Sequence, residues 1–248
     1  MERRTRPAYQ AVFQRLKLLS PFFDPESVMS DYELALMGAL RIEFPNADSD
    51  GCLFHFVVSS VKHAKYELGL VIMIRENPVV RRIVQLCCGI PLAPPQMMRD
   101  ALRAIAAEAR LTLFYDDLIP YFDYLWYTWL SGPRYESLSV CGSVHRTNNA
   151  CESFNHVLGS ELGEHHVNVY RFLECLSNIE DTAQTDILTL YEGRNPGRPR
   201  KTSSLANDAR IQLWTRNLLD GYITIREFIH CVSPTLHGLF EEQVRAGP

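Results

Sequence analysis

At 248 residues, with hydrophobic types making up 46%, the chain can bury a substantial core and is long enough for one or two domains. A net charge of −4 argues against a protein that coats nucleic acid through bulk charge and leaves only local basic segments for phosphate contacts. The longest apolar run, "LGLVIMI", is bounded by Glu67 and Arg75 and falls far short of a bilayer span, so no membrane partner is expected. "MERRTRPAYQ" has no apolar stretch behind it that would make a secretory signal. Seven cysteines, an odd number among apolar neighbours, fit a reducing compartment, cytoplasmic or nuclear.

The chain opens on a predicted helix, "PAYQAVFQRLKLL", with Ala8, Val12, Phe13, Leu16 and Leu19 on one stripe. "SVMSDYELALMGAL" reads as a short strand ending near Ser30 or Asp31, then a helix carrying Leu34, Leu36, Met37 and Leu40. A second such step follows, with "FPNADSDG" as turn, "CLFHF" as strand and "VVSSVKHAKYEL" at helical spacing. Two successive strand–helix steps predict an α/β sheet rather than a bundle. From Gly69 to about Ser143, helical segments separated by prolines take over: "NPVVRRIVQLCCGI", "PPQMMRDALRAIAAEARL" and "DLIPYFDYLWYTWL". The aromatic residues of the last segment read as packing between helices. After residue 143 come "RTNNACESFN", then "NVYRFLECLSNIEDTAQTDILTLYEG" with Val169, Phe172, Leu173, Leu176 and Ile179 on one side, the linker "RNPGRPRKTSS", and two closing helices, "LANDARIQLWTRNLL" and "ITIREFIHCV". The predicted organisation is 1–68 as an α/β core, 69–143 as a helical insertion, 144–192 as a return to the core, 193–204 as a basic linker and 205–248 as C-terminal helices.

Four places carry chemistry. Asp31 stands where a strand should end, the side of an α/β sheet on which ligands gather, although a helix cap would also explain it. In "RTNNACESFN", Thr147 or Asn148 can cap a helix that places Phe154, Val157, Leu158 and Leu162 on one side, with Asn148, Glu152 and Asn155 on the other. A carboxylate flanked by the amides of Asn148, Asn149 and Asn155, with no basic partner one turn on, suits either a metal-facing helix or a solvated face. Cys52 and His55 of "CLFH" have metal-ligand spacing. His63, Cys87, Cys88, Cys141, His145, Cys151, His165 and His166 supply no matching second pair, so zinc is not expected. Finally, "NPGRPRK" offers Arg198, Arg200 and Lys201 either as contacts for a narrow minor groove, in the manner of an AT-hook, or as a solvated basic linker.

In their order, "VMSDYELALMGALRIEFPNADSDGCLFHF", "RRIVQLCCGIPLAPPQ", "YFDYLWYTWL", "RTNNACESFNHVLG" and "HVNVYRFLECL" resemble the catalytic region of Mutator-like element (MULE) transposases, from about Tyr9 to Leu176. The resemblance implies a mostly helical α/β fold: a partial RNase H-like fold with a large all-helical insertion and C-terminal helices. It implies a DDE-type site holding two divalent ions, Mg²⁺ or Mn²⁺, with Asp31 as the family's second acid and Glu152 as the third. Two such ions stabilise attacking and leaving oxygens in phosphodiester chemistry. The expected partner is DNA, at transposon ends, and a homo-oligomer stays open. Cys52 and His55 match the family's C-x-x-H element.

The family's first aspartate lies on a strand upstream of "SDYE", and the thirty residues before Asp31 offer only Asp24, which precedes a proline. The resemblance therefore implies a truncated or transposon-derived domain, inactive as this chain. The alternative is a domesticated DNA- or protein-binding module without catalysis.

Overall fold

In a computed structural model, residues 4–143, 145–163, 167–197 and 200–247 are described. They divide into two compact units, the larger formed by residues 1–147 and 207–248 and the smaller by 148–206. The chain is mostly helical, and its one sheet has two strands among the described residues.

The larger unit begins with α1 (Arg6–Leu19), which Pro7 starts at a position where a helix needs no amide hydrogen. β1 (Ser27–Ser30) and α2 (Leu34–Glu43) follow, then β2 (Asp48–Gly51) and α3 (Leu53–Lys62). The strands are parallel, with Ser27 opposite Asp48 and Ser30 opposite Gly51. The strand–helix–strand–helix order matches the sequence reading, but the second strand is the polar "DSDG", not "CLFHF". The reason lies in burial: Leu53, Phe56, Val57, Ser60 and Val61 are buried at helical spacing, which a strand would split between two faces. The stripe on α1 is half-buried at Ala8, Phe13 and Leu16, with Phe13 edge-on to Phe44 at 5.5 Å, and no residue of this helix is fully buried. Polar bonds also hold it to its neighbour: Tyr9 Oη donates to Glu33 (3.0 and 3.1 Å), Gln14 Nε2 to Glu43 (2.8 Å), and Lys17 Nζ to the Glu43 carbonyl.

Two π-helical turns punctuate the next part of the chain. The first, His63–Glu67, extends α3; the second, Leu125–Leu130, extends α7 (Tyr115–Tyr124). Between them run α4 (Val71–Glu76), α5 (Pro78–Cys88), capped by Asn77 through the amides of Val79 and Val80, and α6 (Met98–Ala109). The segments 1–68 and 69–143 share one hydrophobic core, to which Tyr32, Leu53 and Phe56 contribute along with Val84, Tyr121 and Trp129.

The smaller unit contains α8 (Asn149–Leu162), α9 (Val169–Tyr191) and the first turn of α10 (Thr202–Leu219). The apolar side expected to be core on α8 is only part-covered: Phe154 and Val157 are exposed, and Leu158 and Leu162 half-buried. Asn148 sits at the N-cap of α8, as expected, though without a capping bond from its side chain.

The chain closes on α10, α11 (Ile225–Val232) and a third helix, α12 (His237–Arg245), which Pro234 and Gly238 conceal in the sequence. α11 starts with a capping box between Thr224 and Glu227. Two carboxylates tie α11 and α12 to the core. Glu241 is held below the usual carboxylate range chiefly by its hydrogen-bonded ion pair with Arg81, against the effect of burial. At Glu108 burial pushes the pKa up, but bonds from His230 (2.7 Å) and Arg226 (3.1 Å) outweigh it and leave the group below its ordinary value. Carboxylates depressed in this way contribute stability above the unfolded-state pKa, near 4.3, and lose it as pH falls through the folded-state values. Urea midpoints measured from neutrality down to about pH 3 should therefore decline below about pH 4.5. Glu241→Gln should lower the midpoint at neutral pH and flatten that decline.

Candidate functional site

Because β1 and β2 are parallel and in register, their carboxyl ends open on the same side, and the amide of Cys52 closes the ladder on Ser30 O at 3.0 Å. Asp31 leaves the first strand there with an exposed side chain, and α3 leaves the second, carrying His55 in its first turn. Both line one cavity of about 300 Å³, together with Ser59, Tyr124, Thr128 and Arg134. His55 and Asp31 thus share a pocket, and Leu53 beside them is buried. Cys52 is different: it is wholly buried and does not line the cavity.

The floor of the cavity is aromatic. Tyr32 packs edge-on against Trp129 with ring centres 4.6 Å apart, and Phe56 meets Trp129 at 4.9 Å. Burial, with Cys52 and Asp50 nearby, pushes the Tyr32 phenol far up. Arg134 spans the rim, its Nε donating to Tyr32 O at 3.2 Å and its guanidinium 5.6 Å from the Trp129 ring. Tyr124 stacks on His63 at 3.6 Å; burial raises the Tyr124 phenol and lowers the His63 imidazole. Among the described residues, the buried Tyr32 Oη and His55 Nδ1 find no hydrogen-bond partner. Unpaired buried polar atoms are costly and belong where a ligand or water completes them.

Trp129, Thr128, Tyr124 and Arg134 were not legible as site residues. The π turn adds a residue to the helical repeat, so Thr128 and Trp129 do not fall where a 3.6-residue period would place them. A second cavity, of about 710 Å³, borders the strands themselves and holds Asp50 and His145. There burial raises the Asp50 carboxyl, Asp48 adds to the shift, and a 2.7 Å bond from Ser143 opposes it.

The remaining sequence candidates lie in the smaller unit. Glu152, Asn149 and Asn155 are exposed on α8, with Asn148 half-buried at its start. Arg200 and Lys201 are exposed just before α10, whose first turn bonds to the Lys201 carbonyl; Arg198 lies outside the described residues. Of the cysteines considered as metal ligands, Cys87 and Cys88 are core residues whose thiols burial pushes up, Cys88 to about 12, which disfavours the thiolate a metal needs. His165 and His166 lie outside the described residues. Within either unit, no group of three or more His, Cys, Asp or Glu side chains able to hold a metal ion is found among the described residues. Among the described residues no helix is long and apolar enough to cross a membrane.

No protein-family model matches the chain, no curated protein sequence matches it, and no solved structure matches it.

Proposed function

We propose that this protein is a transposase-derived, DNA-handling relative of the Mutator-like element catalytic region, with a partial RNase H-like core, that does not cut DNA by itself. The observation that carries the reading is the shared cavity of Asp31 and His55 at the carboxyl ends of two parallel strands, where α/β sheets put their ligands. The two residues come from "SDYE" and "CLFH", the segments on which the resemblance rests. In an active relative Mg²⁺ or Mn²⁺ would supply the electrophilic assistance, and Asp31 and Glu152 are this chain's candidates to hold it. The only aspartate before Asp31 is Asp24, which precedes a proline and matches the family's first acid poorly, and this favours DNA binding without cleavage. The basic segment with Arg200 and Lys201 would contact phosphates, giving weak binding that salt screens.

The full chain, incubated with a labelled duplex and Mg²⁺ or Mn²⁺, should bind in a salt-dependent manner and leave the duplex intact. Arg200→Ala with Lys201→Ala should weaken binding and reduce the salt slope by about 1–2. Cleavage that vanishes in both Asp31→Ala and Glu152→Ala would overturn the non-catalytic part. No binding even at low salt would remove DNA as the partner.

A further inference from the structure

The long helix α9 carries an apolar seam that the described residues leave exposed. Val169, Leu173, Leu176, Glu180, Ala183, Ile187 and Leu190 are spaced alternately four and three residues apart over three heptads, and six of the seven are apolar. Every one is exposed, the five larger apolar side chains by 37–60%. Another side of the helix is covered, since Cys175 is 2% exposed. A globular helix drifts from a strict seven-residue repeat, whereas a supercoiled pair keeps it.

We infer that α9 pairs with α9 of a second copy of this chain in a two-helix coiled coil. The size of the surface points to that occupant. About half of each seam side chain and most of Tyr170 and Tyr191 would leave water, on the order of 1,000 Å² for two copies, the lower end of a specific interface. A 23-residue helix with the same period is needed to cover the seam along its whole length, and a second copy supplies one. The flanks do not oppose the pairing, since of Tyr170, Ser177, Gln184 and Tyr191 on one side and Phe172, Ile179 and Asp186 on the other only Asp186 is charged. Glu180, in the middle of the seam, weakens the pair and fixes its register, as a single polar residue does in coiled coils. This pairing is independent of the DNA reading.

Sedimentation of the full chain over a concentration series should show a monomer–dimer equilibrium with a dissociation constant in the micromolar range. Leu173→Glu with Ile187→Glu should leave a monomer of unchanged helix content in the circular-dichroism spectrum, and Glu180→Leu should tighten the dimer at least tenfold. Leu188→Glu, exposed on α9 but off the seam, should change nothing. A monomer at all concentrations for both the parent chain and Glu180→Leu would overturn the inference. So would equal loss of association in Leu188→Glu, which would mark it as general stickiness.

Discussion

Lys65→Met should destabilise the larger unit by about 3 kcal/mol, because it takes the ammonium from the buried carbonyls of Gln243 and Val244, while Ala246 keeps the bond from Tyr66 Oη. Lys65 is 2% exposed, and its Nζ donates to the carbonyls of Gln243 (2.8 Å), Val244 (3.1 Å) and Ala246 (2.7 Å). These carbonyls end α12, where no further turn of helix can satisfy them, so an ammonium with three donors does so from across the sequence. Methionine fills the space and supplies no donor. Thermal and urea unfolding should show the loss, and removal of residues 243–247 should produce much of the same loss without touching Lys65. An unchanged midpoint in Lys65→Met would mean that water takes over the carbonyls at no cost.

Gly51→Ala should cost about 2 kcal/mol and disturb the Asp31 cavity at the same time. A Cβ on Gly51 would stand 2.3–2.6 Å from Cε1, Cζ and Oη of Tyr32. Tyr32 cannot simply swing aside, since it is buried edge-on against Trp129. The paired variant Gly51→Ala with Tyr32→Phe tests the contact: it should relieve only the part of the clash due to Oη, because the ring carbons are as close. Near-ultraviolet circular dichroism should change in Gly51→Ala, and a spectrum and midpoint identical to the parent's would rule out the steric role given to this glycine.

Both residues show what the sequence made legible and what it hid. The strand–helix–strand–helix start, Asp31 at a strand end and His55 beside it follow from local pattern and from the order of the motifs. The placement of β2 does not: "DSDG" has no strand propensity of its own and is extended because it pairs with β1 and because Gly51 lets Tyr32 lie over it. Lys65 reads as one more solvated charge on a helix, and nothing near it in sequence announces carbonyls some 180 positions away. α12 was missed for a similar reason, since its start looks like a break and part of what holds it, the bonds from Lys65 and Arg81, comes from distant residues, beside the burial of its own Phe240 and Val244. The polar seam between α1 and α2 likewise depends on pairs of residues distant in sequence, such as Tyr9 with Glu33.

The π turn at Leu125–Leu130 makes the cavity sensitive to length as well as to composition. A π turn is an α-helix with one residue too many, so deleting a single residue there would let the helix relax to its ordinary pitch. Each residue after the deletion would then rotate by about 100° around the axis relative to what precedes it. Thr128 and Trp129 would leave the cavity together, and the Tyr32 ring would lose the surface it leans on, although no side chain had been substituted. Homologous chains aligned to this one can therefore keep every residue type of the cavity and still lack it, if they are one residue shorter between Tyr124 and Arg134.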